Sequence, residues 1–189
     1  MAHESPPIAV RAGGNDASLK RGEEIVTHRT WDVVAFTLAS VAAAFLLPAM
    51  PQPLEYHDFA DDRHMAGVAS FLDVISNGAF LLAGIAGMIV TLYPRTTFEY
   101  ARERLPYLVF FLGVALTGLG SGYYHRAPDN ESLFWDRLPM TIAFMSLISA
   151  QIGDRIGIRA GPALLLPLLL VGMGSVVYWI LTERAGAAI

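Results

Sequence analysis

Apolar residues along this chain fall into five long stretches separated by short polar segments. The stretches cover residues 31–50, 68–93, 105–124, 138–153 and 162–182. Most are close to the ~20 residues that a helix needs to cross the ~30 Å hydrocarbon core of a bilayer, and the fourth stretch is the shortest. The pattern predicts an all-α protein, a multi-pass transmembrane helix bundle with about five spanning helices.

The N-terminal part of the chain has a different pattern. Residues 1–30 are polar, rich in Gly, Pro, Asn, Glu and Lys, and show no period that could form a core. We expect a disordered cytoplasmic tail at 1–30, an additional N-terminal transmembrane helix at 31–50, and an acidic extracytoplasmic loop at 51–67. A cleavable signal peptide is the alternative for 31–50. The thirty-residue leader and the lack of a small-x-small cleavage site after it disfavour that alternative.

The composition supports a membrane protein. Hydrophobic residues make up 54% of the 189 residues and charged residues 16%, and the mean hydropathy is +0.46. An ordinary soluble domain is less apolar and carries more charge. Cysteine is absent, so a transition metal would have to be bound by histidine and carboxylate. We expect a lipid bilayer as the environment and no nucleic acid as a partner.

The positive charges predict an orientation. Nine Lys and Arg residues lie in the tail and in the loops 94–104 and 154–161, and the opposite side carries four: Arg63, Arg126, Arg137 and Arg184. Positive residues concentrate on the cytoplasmic side of membrane proteins. We therefore expect a cytoplasmic N-terminus, with the loops 51–67 and 125–136 on the extracytoplasmic face.

Three polar residues stand out between the third and fourth apolar stretches: Ser121, His125 and Asp136. Polar and ionisable groups are costly at the edge of a bilayer, which makes them candidates for function. Gly113 and Thr117 extend the same four-residue spacing toward the cytoplasm, and a stripe of this kind also serves simple helix packing. Asp136 has its own alternatives, because it could cap the fourth helix or pair with a neighbouring arginine, Arg126 or Arg137.

The loop 51–67 contains a second candidate site. Four carboxylates fall within eight residues: Glu55, Asp58, Asp61 and Asp62. Calcium takes six to eight oxygen ligands, so the loop suits this ion, and a solvated acidic loop is the equally simple alternative. Asp73 and Asn77 could reach such an ion from the adjacent helix or form hydrogen bonds between helices.

About a hundred residues, from 55 to 155, resemble the alkaline ceramidase family, integral-membrane amide hydrolases in a superfamily that includes the adiponectin and progestin receptors. The matching segments are Tyr56–Arg63, Phe71–Asn77, Gly120–His125 and Trp135–Met140. The specific feature is Ser-x-x-x-His followed eleven residues later by Asp. The resemblance implies a seven-helix core, so residues 68–189 would form a partial ceramidase-like bundle.

The resemblance also implies a mechanism and a site. The family cleaves the amide bond of ceramide or related sphingolipids with a zinc-activated water. His125 would bind zinc, Asp136 would lie beside the metal-bound water, and Ser121 would supply a hydroxyl. A calcium site precedes the first core helix of the family, which makes Asp58 and Asp61 candidate ligands.

One part of the family pattern is missing from this sequence. The family has two further zinc ligands, as His-x-x-x-His on its last helix, and no histidine follows His125 here. His57 and His64 lie on the expected outer face and could assist, but they are more simply loop residues. We expect either a truncated remnant of the family or one piece of a split member whose missing helices come from a second chain. The alternative is a non-catalytic, receptor-like or structural bundle.

The predicted orientation can be tested directly because the chain has no cysteine. A single cysteine at Ala127→Cys is expected to react with a membrane-impermeant maleimide added outside intact cells. A cysteine at Gly157→Cys is expected to react only after permeabilisation. The reverse labelling pattern would contradict the orientation.

Overall fold

The structure is a computed structural model that describes residues 50–61, 63–94, 98 and 100–186, together with positions 35, 38–40, 42–43 and 46. The chain divides into two units, residues 1–48 and 49–189. In the first unit the described positions are helical, and the predicted tail at 1–30 lies outside the described residues. Most of the predicted helix at 31–50 also lies outside them.

The described part of the second unit is built from five α-helices, and the prediction of an all-α fold is confirmed. The helices are α1 (Phe71–Ser76), α2 (Gly78–Leu92), α3 (Arg104–Arg126), α4 (Asn130–Arg155) and α5 (Ala160–Arg184). Short 3₁₀ turns occupy Leu54–His57 and Ala101–Glu103. The α1 and α2 helices form one nearly continuous segment, interrupted at Asn77.

Within the described residues, three helical segments are long and apolar enough to cross a membrane. They are Phe71–Leu92, Ala101–Arg126 and Ala160–Arg184. The α4 helix is long enough at 26 residues but carries charged residues near both ends. Three segments of this kind fit an integral membrane protein.

The helices pack mainly in chain order, with α3 against both α2 and α4, and α5 against α4. Glycines make these contacts close. A Cβ on Gly84 of α2 would lie 2.4 Å from the backbone nitrogen of Ala115, and one on Gly113 would lie 2.6 Å from that of Ala143. The predicted stripe on α3 therefore serves close helix packing. The Thr117 hydroxyl donates to the Gly113 carbonyl of its own helix.

Among the described glycines, the closest approach to a backbone atom of another helix is at Gly120, between α3 and α4. A Cβ on this residue would lie 2.1 Å from the carbonyl oxygen of Trp135 and 3.3 Å from Cγ of Pro139. Proline has no N–H, so Pro139 cannot donate the usual helical hydrogen bond to Trp135, four residues earlier. The Trp135 carbonyl of α4 is thus directed at the bare backbone of α3.

The α4 helix begins eight residues before the apolar stretch that predicted it. Asp129 is the N-cap, its side chain accepts from the Ser132 N–H at 2.6 Å, and the Ser132 hydroxyl accepts from the Asp129 N–H at 3.0 Å. This reciprocal pair satisfies two backbone donors at the helix end. The connection from α3 is therefore only Ala127–Asp129.

Replacing Gly120 by alanine is expected to destabilise the fold by about 1–3 kcal/mol, the usual cost of forcing extra volume into a packed interior. The added methyl group would collide with a backbone carbonyl that cannot rotate away. The free energy of unfolding, measured by detergent titration in mixed micelles, tests this. The matched control is Gly174→Ala, because a Cβ there meets nothing within 4 Å. Equal stability of the two variants would contradict the packing.

Candidate functional site

The three residues singled out by the sequence come together where α3 meets α4. Ser121 is buried on α3, one residue beyond Gly120, and Asp136 follows Trp135 on α4. The Asp136 carboxylate lies near the Ser121 hydroxyl and within electrostatic range of the His125 ring and of Arg137, and its Oδ1 forms no hydrogen bond among the described residues. The close approach of the two helices therefore places a hydroxyl, an imidazole and a carboxylate in one group.

Asp136 does not serve as the helix cap, because that role belongs to Asp129. Nor does its neighbour Arg137 pair with it: Nη2 of Arg137 donates to Oε1 of Gln52 at 2.7 Å. The Arg137 guanidinium lies 4.3 Å from the ring centroid of Trp179. Oδ1 of Asp136 is buried and has no hydrogen-bond partner among the described residues. A carboxylate oxygen left in this state is available for a ligand or a proton.

His125 has a similar environment at the end of α3. Its Nδ1 atom is buried without a hydrogen-bond partner among the described residues, and Oδ2 of Asp73 lies 3.8 Å away. The Phe59 ring packs on the imidazole with a centroid distance of 4.4 Å. Asp73 belongs to α1, and Phe59 belongs to the segment before it. Two other parts of the chain therefore contact this histidine of α3.

His57 belongs to a polar network that the sequence did not predict. Its Nδ1 is 2.9 Å from the Tyr124 hydroxyl and its Nε2 is 2.9 Å from Oδ1 of Asn130. Asn130 also donates to the Glu183 carboxylate, which accepts from the Gln52 N–H as well. The network ties the segment before α1 to the C-terminal ends of α3 and α5 and to the N-terminal end of α4. Both ring nitrogens of His57 are thus engaged.

An apolar groove of about 440 Å³ lies beside the site, between α3 and α4. Gly120 and Trp135 are part of its lining, and each is the chain neighbour of a site residue, Ser121 or Asp136. The remaining lining is apolar or aromatic: Leu116, Leu119, Tyr123, Leu138, Pro139 and Ile142. Ser121, His125 and Asp136 do not line the groove themselves, and it adjoins the site through Gly120 and Trp135.

The two candidate calcium ligands differ in their surroundings. Asp58 is exposed. Asp61 is buried: its Oδ1 accepts from Nε of Arg63 at 2.8 Å, and its Oδ2 accepts from the Leu72 N–H at 2.9 Å. Burial alone would raise the pKa of Asp61, but these N–H donors lower it below its usual value. The Asp61 carboxylate thus stabilises the start of α1, and a calcium ion would have to share these oxygens.

Asn77, the other polar residue of this region, is buried and donates to the Asp73 carbonyl at 2.8 Å. This bond lies within the α1–α2 segment and does not join two helices.

The described residues do not supply a complete catalytic zinc site. Zinc in enzymes is normally held by three protein ligands with one open position. No group of three or more histidine, aspartate or glutamate side chains in the described part of the chain is arranged to hold a metal ion. His125 and Asp136 are ligand types that zinc accepts, and each has an unpartnered buried atom. They provide two of the ligands at most.

No protein-family model, no characterised protein and no solved structure matches this chain.

The Asp129 cap at the start of α4 predicts that the stability of the fold depends on pH. The Ser132 N–H bonded to Asp129 lowers the pKa of Asp129 below its usual value, which is about 3.9 in an unfolded chain. The carboxylate therefore adds stability above about pH 4, and this stability is lost as the pH falls through the lower, folded pKa. Asp129→Asn keeps a capping side chain but does not titrate.

We expect wild type to be more stable than Asp129→Asn at pH 6, with the difference shrinking below about pH 4. Thermal unfolding followed by circular dichroism measures both. A difference that stays constant from pH 6 to pH 2.5 would contradict the assignment.

Proposed function

We propose that this protein is a ceramidase-like membrane hydrolase of a lipid amide bond, with the sphingolipid ceramide or a close relative as substrate. Its reacting groups are Ser121, His125 and Asp136, on the extracytoplasmic face. The observation that supports this most is their convergence at the α3–α4 contact, with unpartnered buried atoms on His125 and Asp136.

Asp136 is suited to move a proton. Its carboxylate lies in a partly enclosed position beside a hydroxyl and an imidazole, and no arginine salt bridge forms to it within the described residues. In amide hydrolysis such a group takes a proton from the attacking water and returns it to the leaving amine. The Ser121 hydroxyl is a donor for the oxygen that becomes negative at the amide carbonyl.

The apolar groove supports a lipid as the substrate. Its lining offers a surface for a hydrocarbon chain, and its Gly120–Trp135 region is adjacent to Ser121 and Asp136. Tyr123 and Trp135 are exposed, as aromatic residues at a membrane interface commonly are. A lipid with its tail along the groove would have its amide at the level of the site.

The zinc site of the proposed enzyme needs more ligands than the described residues supply. His125 and, beside it, Asp136 would be two of them, and the others would come from further helices, for which a second chain is one source. Large apolar side chains of α2 and α5 are exposed, among them Leu82, Ile89, Leu170 and Val171, and they form a surface that either further helices or lipid would cover. Calcium bound at Asp58 and Asp61 remains a secondary part of the proposal.

A non-catalytic bundle is the second candidate. It is favoured by the lack of a three-ligand group among the described residues. In this case the same helices would act as a receptor-like or structural unit, without metal and without turnover. The two candidates differ in zinc content and in ceramide hydrolysis.

The decisive experiment isolates the tagged full chain from its native membrane in polymer-bounded lipid discs, so that associated chains stay bound. Zinc per chain and release of fatty acid from labelled ceramide are measured. We expect bound zinc that is lost in His125→Ala, and a loss of hydrolysis of about 10²–10⁴-fold in Asp136→Asn. Ser121→Ala is expected to lose about 10²–10³-fold.

The matched control is His64→Ala, which removes an exposed histidine outside the site and is expected to keep zinc and activity. Zinc no higher in wild type than in His125→Ala, together with no ceramide hydrolysis, would reject the hydrolase in favour of the non-catalytic bundle.

A further inference from the structure

The Nδ1 atom of His125 faces a carboxylate from a different helix. Oδ2 of Asp73 lies 3.8 Å away, and within the described residues Nδ1 is buried without a hydrogen-bond partner. This separation is too long for a hydrogen bond. It is short enough for the negative charge to favour a proton on the nearer ring nitrogen.

The position of Asp73 is well defined by its own helix. The Ser76 hydroxyl and the Asn77 amide both donate to the Asp73 carbonyl, at 2.9 and 2.8 Å. These bonds engage the backbone of Asp73 and leave its carboxylate directed at α3. On the imidazole itself, the Phe59 ring packs at 4.4 Å and restricts rotation of the ring.

A neutral imidazole carries one proton, and the partner of one nitrogen decides which nitrogen holds it. A carboxylate beside Nδ1 favours the Nδ1–H form, in which Nε2 keeps its lone pair. This is the form that a metal-binding or proton-accepting histidine needs at Nε2.

We propose that Asp73 is a positioning residue that holds His125 in the Nδ1–H tautomer, in which Nε2 keeps its lone pair. Asp136 also acts on the imidazole, but among the described residues only the Asp73 carboxylate lies at ion-pair distance from it. The tautomer follows from the contacts of this chain alone. Its value for catalysis rests on the function proposed above.

His57 provides a contrast within the same molecule. The Glu183 carboxylate only accepts, so the Asn130 amide nitrogen faces it and Oδ1 of Asn130 faces His57. Nε2 of His57 must therefore carry the proton, and its Nδ1 accepts from the Tyr124 hydroxyl. The two histidines are expected to be opposite tautomers.

Nitrogen NMR of the full chain labelled with ¹⁵N-histidine, in lipid discs, measures both tautomers. A metal chelator is present, and the pH is raised until the ¹⁵N signals of the two rings no longer change. His125→Gln and His57→Gln assign the two signals. We expect His125 protonated at Nδ1 and His57 protonated at Nε2.

In Asp73→Ala the His125 proton is expected to shift toward Nε2, and in Asp73→Glu the Nδ1–H form is expected to return. The His57 signals should stay unchanged in both variants, which shows that this end of the bundle remains folded. The matched control is Asp154→Ala. The Asp154 carboxylate accepts a hydrogen bond from the Tyr107 hydroxyl near the other end of α3, so its removal should leave the His125 tautomer unchanged.

Two results would overturn the proposal. One is a wild-type His125 protonated at Nε2, which needs no variant to be folded. The other is an Nδ1–H tautomer that persists in Asp73→Ala. Because the measurement uses metal-free protein without substrate, either result leaves ceramide hydrolysis as a separate question. An absence of hydrolysis would likewise leave the tautomer of His125 unaffected.

Discussion

The contact between Gly120 of α3 and the Trp135 carbonyl of α4 determines the geometry of the end of the bundle where α3 meets the start of α4. A Cβ at position 120 would stand 2.1 Å from that oxygen, so only glycine permits the approach. Pro139 cannot donate to Trp135, and its own ring lies against the same spot. The close approach of the two helices therefore depends on the missing side chain of Gly120 and on the missing N–H of Pro139.

The positions of the site residues follow from this contact. Ser121 is the next residue on α3, and Asp136 is the next residue on α4, so both enter the interface where the backbones are closest. His125 lies one turn further along α3, within reach of Asp73.

The short connection Ala127–Asp129, held by the Asp129–Ser132 cap, keeps the two helix ends together. The His57 network adds a second constraint by fastening the preceding segment across three helix ends.

Much of the fold could be predicted from hydrophobic patterning, because a spanning helix shows itself as a run of about twenty apolar residues. The α3 and α5 helices extend only one to two residues beyond the predicted stretches at either end. The start of α4 was missed because polar and charged residues flank the short apolar run Leu133–Trp135 there, and the helix start depends on a capping pair. The spacing Asp129-x-x-Ser132 was the available signal.

The sequence named the residues that lie at the α3–α4 contact, but it did not name the residues that contact them. Ser121, His125 and Asp136 stand at spacings that place them at facing helix ends, and a resemblance to a known family pointed to the same residues. The links from Asp73 to His125 and from His57 to Asn130 join residues 52 and 73 positions apart. Short sequence patterns cannot predict such pairs, because the residues meet only when the helices pack.

Proximity of Ser121 and Asp136 across the α3–α4 interface is the central claim, and cysteine cross-linking in the membrane tests it most directly. The chain has no other cysteine. Ser121→Cys combined with Asp136→Cys should cross-link within one chain, by oxidation or with the shortest bifunctional thiol reagent. Ser121→Cys combined with Leu92→Cys, at the far end of α2, should not. Equal cross-linking of the two pairs, or none in the first pair, would contradict the account.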